Sequence, residues 1–568
     1  MHSKIPQFLK ACIVLCFISL LSFSSYASHI TGGEMSYQCL GGNVYKLSFK
    51  VYRDCQGIPL CMCPGMNGCS LTNIQVTGLD AGCGNMPTSI TMKIDSNTVS
   101  GYDVVQLCRG TKTICTNCGT RTPGSMYGGV EVYTFTGTVD LSKITPISCC
   151  NISVGWTDCC RSSGNINLLN PSSLSYYVGA TINRCAEPCN NAPVFMNKPI
   201  IMMCAGQEFT YNLGAYDPDG DSLSYEFGKS LISPTTAAPY VAPYSFDTLP
   251  FPFLGSPNKN LPPPLGLHLN ANTGDVLFTP VGNFVSNLVI EVTQWRFLPN
   301  GTAFKVGTTN RDIQFYSNND CSPNESPKFI TYTEQGDLIS NTQVISPKPN
   351  LIPAYYVPKT NWAFNVNENK CFFIEALDGV EVTDTSDLAA LIPPSFSNAT
   401  NGIATIEPSY PRLTYINSDE HIGIQKYDRW KFCWTPTMDA FNNAHKRPYF
   451  FTVEAKDRSC PVPARAARSF AIWVHSSTDS TSSIKDLKAE DIKLYPNPSN
   501  NQSLLELKEI ANWKIDISDV NGKQVRSYKS FKGKELNILK DELKTGLHMV
   551  SIKNLDSNQS VVLKLMFE

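Results

Sequence analysis

Cysteine restricts this fold more than any other feature: the 568-residue chain has 22, and sixteen of them fall between Cys39 and Cys204. In an oxidising compartment such density reads as a disulfide framework. Metal is the competing reading. A zinc ribbon needs two Cys-x-x-Cys pairs at a short interval. Only Cys115-Thr116-Asn117-Cys118 has that spacing, Cys61-Met62-Cys63 does not, and no histidine lies between His29 and His268. A thiol redox motif wants a helix N-terminus behind it, whereas Gly119-Thr120-Arg121-Thr122-Pro123-Gly124 reads as a loop. Disulfides are therefore expected, the vicinal pairs Cys149-Cys150 and Cys159-Cys160 included. Their connectivity is not encoded in the spacing.

An oxidising compartment implies export, and the N-terminus agrees. Lys4 and Lys10 precede an apolar run from Ala11 to Phe23, and Ser25-Tyr26-Ala27 supplies small residues for cleavage after Ala27. The alternative, a membrane anchor, needs about 20 apolar residues, and the run is shorter. Cys12 and Cys16 leave with this leader, so the mature chain keeps an even number of cysteines. Formal net charge is −2, which excludes the strongly basic footprint of a nucleic-acid binder.

Alternation of period two marks the strands. Tyr45, Leu47, Phe49 and Val51 alternate with Lys46, Ser48 and Lys50, and Val130 to Val139 is a second β-rich run. The expected fold class is all-β. A Cys-rich β domain spans 28–189 behind a signal peptide at 1–27. Cadherin/Ig-like β-sandwiches follow at 190–320 and 321–475. A Ser/Thr linker at 476–490 leads to a small β-sandwich at 491–568. The two central sandwiches read as a duplication. Phe278-Thr279-Pro280 recurs as Trp434-Thr435-Pro436, and the strand opening at Arg311 recurs at Arg468 with nearly the same offset.

The terminal module carries Lys493-Leu494-Tyr495-Pro496-Asn497-Pro498, the strand and turn Trp513 to Lys523, Leu543 to Ile552 with Gly546, and a closing strand Val561 to Leu565. This order resembles the C-terminal sorting domain of type IX secretion substrates, although Leu547-His548 replaces the usual Val/Ile-Tyr. The resemblance implies passage across the outer membrane by the type IX machinery, with release or attachment to surface glycolipid. The segments Ser28 to Glu34, Val51-Tyr52-Arg53-Asp54-Cys55, Cys159-Cys160-Arg161, Asp217 to Leu223 and Gly307 to Gln314 resemble gliding-motility-associated surface proteins of the same kind of bacteria. A secreted or outer-surface location follows from both resemblances.

Chemistry-bearing patterns are few. Asp217-Pro218-Asp219-Gly220-Asp221 sets three carboxylates in a tight turn. Asp217, Asp219 and Asp221 are candidate Ca²⁺ ligands, since Ca²⁺ takes six to eight oxygens. The competing reading is a solvated turn in which Asp and Gly satisfy the backbone. No Glu closes an EF-hand loop, and Leu377-Asp378-Gly379 is the nearest counterpart in the second sandwich. His29, His268, His421, His445, His475 and His548 sit in no zinc motif, and no Gly-x-Ser-x-Gly elbow is present. Trp430 and Trp434 flank Cys433, which reads as core packing beside a disulfide or as a sugar platform; Trp295 is similarly open. The expectation is a non-catalytic protein of adhesion, matrix or surface layer. The alternative is a carbohydrate-binding protein or secreted hydrolase accessory.

Overall fold

The computed structural model describes residues 30–476 and 492–568, apart from 58–59, 61–68, 89, 109–110, 117–119, 122–127, 187, 200, 258–262, 264, 299–301, 320, 322–323, 341–343, 346–356, 378–386, 410–412, 419–420, 427–428, 445–446, 458–460, 520–522, 542 and 556–559. The leader 1–27, Ser28-His29, Cys61, Cys63, Cys118, Asp378-Gly379, His445, Cys460 and the linker beyond Ser476 lie outside the described residues. Two compact units emerge, Met1–His475 and Ser476–Glu568. The protein is all-β apart from short helical turns. Among the described residues no helix is long and apolar enough to cross a membrane.

The principal strands are numbered in chain order. Strands β1 (Ile30–Gly41) and β2 (Val44–Asp54) form a hairpin whose turn holds Gly41, Gly42 and Asn43 at positive φ. β3 (Val130–Asp140) pairs with β2 along its length. β4 (Asn151–Cys159) pairs with β5 (Ser175–Asn183). The alternating residues Tyr45, Leu47, Phe49 and Val51 point inward to a core shared with Tyr133, Phe135, Trp156 and Tyr176.

Six principal strands lie within residues 190–320: β6 (Met202–Cys204), β7 (Phe209–Tyr211), β8 (Ser222–Gly228), β9 (Val276–Phe278), β10 (Phe284–Phe297) and β11 (Ala303–Asn318) pair among themselves, and β11 also reaches back to β1. β11 pairs with β5 as well, Ala180 opposite Thr309. Segments on the two sides of position 189/190 therefore share one 15-stranded sheet. The reason is edge satisfaction. β11 is 16 residues long, and its second edge would carry unpaired backbone groups without β1 and β5. The approach is tight: a Cβ on Gly32 would stand 2.5 Å from the Asp312 carbonyl, so only glycine fits there.

Residues 321–475 repeat the pairing plan. β12 (Asn361–Asn365) runs parallel to β17 (Arg465–His475), as β6 does to β11. β13 (Lys370–Leu377) pairs with β15 (Arg429–Trp434), as β7 does with β9. β14 (Asp387–Leu391) pairs with β16 (Tyr449–Lys456), as β8 does with β10. Even the register recurs: Ile290 faces Arg311 and Val453 faces Arg468. The insertion in the second copy contains the hairpin Leu413–Ser418 with His421–Lys426. Trp434 is buried against Phe396, Phe364 and Tyr449, beside the Cys371–Cys433 disulfide. Trp430 is partly buried against the same core.

Disulfides and arginines hold this first unit. Described cysteines pair as Cys39–Cys189, Cys55–Cys115, Cys83–Cys149, Cys150–Cys185, Cys159–Cys160, Cys204–Cys321 and Cys371–Cys433. The side-chain groups Cys55/Cys115/Glu131 and Asp80/Cys83/Cys149 have metal-like proximity, but their thiols are oxidised to disulfides. Arg184 is buried, and its guanidinium donates to the carbonyls of Leu141, Ile144, Pro146, Ile147 and Cys149. One planar fork thus organises a whole loop, which a lysine point charge would not reproduce.

In the second unit, β18 (Lys493–Tyr495), β19 (Gln502–Asp519), β20 (Gln524–Leu539), β21 (Gly546–Asn554) and β22 (Ser560–Phe567) make one sheet. It wraps a core of Trp513, Ile515, Ile517, Val550, Ile552, Leu565 and Phe567. Period two persists along β21, where His548, Val550 and Ile552 are buried and their neighbours are not.

Candidate functional site

The motif charges of the first unit meet across the sheet. Arg311 is 1% exposed and grips Glu34 through Nη2 (2.5 Å) and Nε (2.6 Å). It also donates to the Asn197 carbonyl and the Tyr211 hydroxyl, both at 2.7 Å. Burial alone would raise the Glu34 carboxyl; Arg311 and Lys50 beside it hold it below the ordinary value. Arg161 pairs with Asp312 at 2.8 Å and stacks on Tyr176. Asn287 donates to the same Asp312. Arg53 pairs with Glu131 at 2.7 Å, both fully buried. These are the segments singled out in the sequence, and the structure joins them as cross-strand ties.

The acidic turn lies between Tyr216 and β8. Its local geometry is set by Asp217, whose Oδ1 accepts from the Asp219 and Asp221 amides at 2.8 and 3.1 Å, and by Gly220 at φ 80°. Asp217, Asp219 and Asp221 come together, with one carboxylate oxygen of each within 4.8 Å of the others. Each is also engaged by protein donors. Gln294 Nε2 donates to Asp217 Oδ2. Both oxygens of Asp219 accept from Asn191, backbone and side chain, at 2.6 Å. Asp221 receives Arg296 through Nε (3.0 Å) and Nη2 (2.6 Å). Burial pushes the Asp217 carboxyl up to about 7 against the Gln294 hydrogen bond. As arranged, the donor set does not fit an open shell of six to eight oxygens.

Sequence reasoning missed Arg296, Gln294, Asn190 and Asn191. The signal available was alternation: Gln294 and Arg296 are polar and two apart at the end of a strand whose centre, Leu288 to Ile290, is apolar. Asp275, another acidic residue of this sandwich, sits elsewhere. It is buried and accepts from Asn212, Thr273 and the Ser469 amide of the second sandwich. Trp295 Nε1 donates to Ser224 at 2.8 Å.

The terminal unit shows why its opening motif has that form. Asn497 Nδ2 donates to the Lys564 carbonyl at 2.7 Å, and its Oδ1 accepts from the Met566 amide at 2.9 Å. One side-chain amide thus pairs the edge of the closing strand as a neighbouring backbone would. Ser499 continues the pairing to Met566 and Glu568. His548, in the place usual for Tyr, is buried, with Nε2 2.7 Å from the Lys544 carbonyl and its ring against Phe567. Asn497→Ala is expected to lower the unit's stability by about 1–2 kcal/mol for two lost hydrogen bonds. Faster hydrogen exchange at the Met566 amide than at Val550 would locate the loss; equal protection in both proteins would refute it.

Residues 493–568 match the family described as the secretion system C-terminal sorting domain. No curated protein matches the chain. Among solved structures it is similar to the cadherin-like domains 1 to 4 of zebrafish RET, at 10% identity over 85% of this chain and 96% of that one, TM-score 0.16. It is similar also to an endo-fucoidan hydrolase of glycoside hydrolase family 107, at 11% identity over 74% and 43%, TM-score 0.12. A third is the BSP domain of a biofilm associated protein, at 10% identity over 95% and 96%, TM-score 0.12. The sorting domain marks the chain as a type IX secretion substrate, exported to the medium or the outer cell surface.

Proposed function

We propose that the protein is a non-catalytic surface or secreted component, acting in adhesion or in an extracellular matrix or surface layer, and of the kind found among gliding-motility-associated surface proteins. One observation carries this reading. The charged residues that stand out in the sequence, Glu34, Arg53, Arg161, Arg311 and Asp312, are all buried and all engaged in ion pairs, strand to strand except for Arg161, which ties the loop after β4 to β11. They build a frame, and such a frame presents loops in fixed positions. The second sandwich is fastened to the first by buried neutral hydrogen bonds: Ala467 N donates to Thr210 Oγ1 at 2.8 Å, and Asn212 Nδ2 to Ser469 Oγ at 3.0 Å. A secreted frame of cross-tied sandwiches suits display under load better than substrate turnover.

The test uses a strain lacking the protein. Loss of surface attachment or of matrix cohesion, restored by the purified full-length chain, is the expected result. Unchanged attachment, together with turnover of polysaccharide or peptide substrates by the purified chain, would overturn the reading.

A further inference from the structure

The joint between the Cys-rich segment and the first sandwich depends on a short stretch, 188–191. Cys189 is tied to β1 through Cys39. On its other side the stretch is held by the acidic turn and by β10. Asn190 Nδ2 donates to the Tyr37 hydroxyl (2.8 Å) and to Gln294 Oε1 (2.9 Å). Gln294 Nε2 donates to the Asn191 carbonyl at 2.6 Å, and Asn191 closes on Asp219. Gly307 leaves the space this network occupies: a Cβ there would collide with Tyr37, Gln294 and Asn190.

Arg296 stands at the centre. Its Nε and Nη2 bind Asp221, Nη2 also reaches Asn190 Oδ1 at 3.1 Å, and Nη1 donates to the Pro188 carbonyl. Asp219 Oδ2 lies 3.7 Å from Nη2. The guanidinium therefore touches two carboxylates, one amide oxygen and one backbone carbonyl. That is the kind of oxygen set a hard cation takes, but met by a planar fork of five N–H groups. A second guanidinium lies nearby: Arg447, from the second sandwich, stacks on Phe297 at 4.6 Å, and its charge is felt by Asp221 and Asp217.

We infer that Arg296 is the resident cation of this acidic turn, supplying within the chain the positive charge that fastens 188–191 to the first sandwich, so that the joint closes without a metal ion. The inference has a positive corollary. With the guanidinium removed, the oxygens of Asp219, Asp221, Asn190 and Pro188 are left facing one another, and a divalent cation becomes the species that satisfies them.

The experiment is a melting series on the full-length protein in calcium chloride and in EDTA. The wild-type chain is expected to melt at the same temperature in both. Arg296→Gln should melt about 2–4 °C lower in EDTA and recover in calcium, with the recovery abolished by adding Asp219→Asn. Arg296→Lys, which keeps the charge and loses the fork, should melt between the two and ignore calcium. A wild-type protein stabilised by calcium would overturn the inference, as would an Arg296→Gln protein indifferent to calcium, folded or not.

Discussion

Removal of residues 491–568 is expected to leave the protein in the periplasm, folded and oxidised, with none reaching the medium or the outer surface. The sorting match covers 493–568, so the signal that the type IX machinery reads is lost whole. Folding should survive because each unit has its own core. Trp513 and its neighbours form a core cluster among residues 492–567, while Phe49, Phe315 and Phe451 anchor three cores in the first unit. The disulfides that join described cysteines all lie before residue 434. Fractionation with a non-reducing gel checks both halves of the expectation. Truncated protein found outside the cell in normal amount would refute the sorting role. Truncated protein that is reduced or degraded would instead refute the independence of the two units.

What was legible in the sequence was what is local. The alternation from Tyr45 to Val51 marks a strand because side chains point to opposite faces of a pleat, and β2 extends only a few residues beyond it. The recurrence of Phe278-Thr279-Pro280 at Trp434 reports a duplicated pairing plan, because a turn and its flanking strands are one unit. The acidic turn, too, was visible as a turn. Its counter-ion was not: Arg296 is 75 residues from Asp221. Glu34 and Arg311 are 277 apart, and nothing in a single sequence states that β1 lies against β11. That same non-local pairing carries the sheet across 189/190, where composition changes but hydrogen bonding does not. Cysteine pairing was hidden for the same reason; vicinal Cys149 and Cys150 take different partners while vicinal Cys159 and Cys160 take each other.

The Glu34–Arg311 pair is where the frame should prove most sensitive. Removing one member of a buried ion pair leaves the other charged and unsolvated, at a cost of about 3–5 kcal/mol. Arg311→Met should lose up to about that much in urea or thermal unfolding, since its loss also frees the Asn197 carbonyl and the Tyr211 hydroxyl, while Lys50 stays 2.7 Å from Glu34 as a partial counter-charge. The double variant Glu34→Leu/Arg311→Met should be destabilised by less than the two singles together, with a coupling of about 0.5–3 kcal/mol, because an apolar pair strands no charge. The pH dependence follows from Glu34, whose carboxyl is held below its ordinary value of 4.5 in the folded protein. A lowered folded value gives stability that is full above 4.5 and lost as pH falls through the folded value. The gap between wild type and Arg311→Met should therefore be widest near neutrality and narrow in acid, as Glu34 takes up a proton in both proteins. Strict additivity of the two substitutions, or a gap that does not change with pH, would mean that Glu34 and Arg311 sit side by side without acting as a pair. The ties between β1 and β11 would then rest on backbone pairing and on the hydrogen bond from the Thr309 hydroxyl to the Met35 carbonyl.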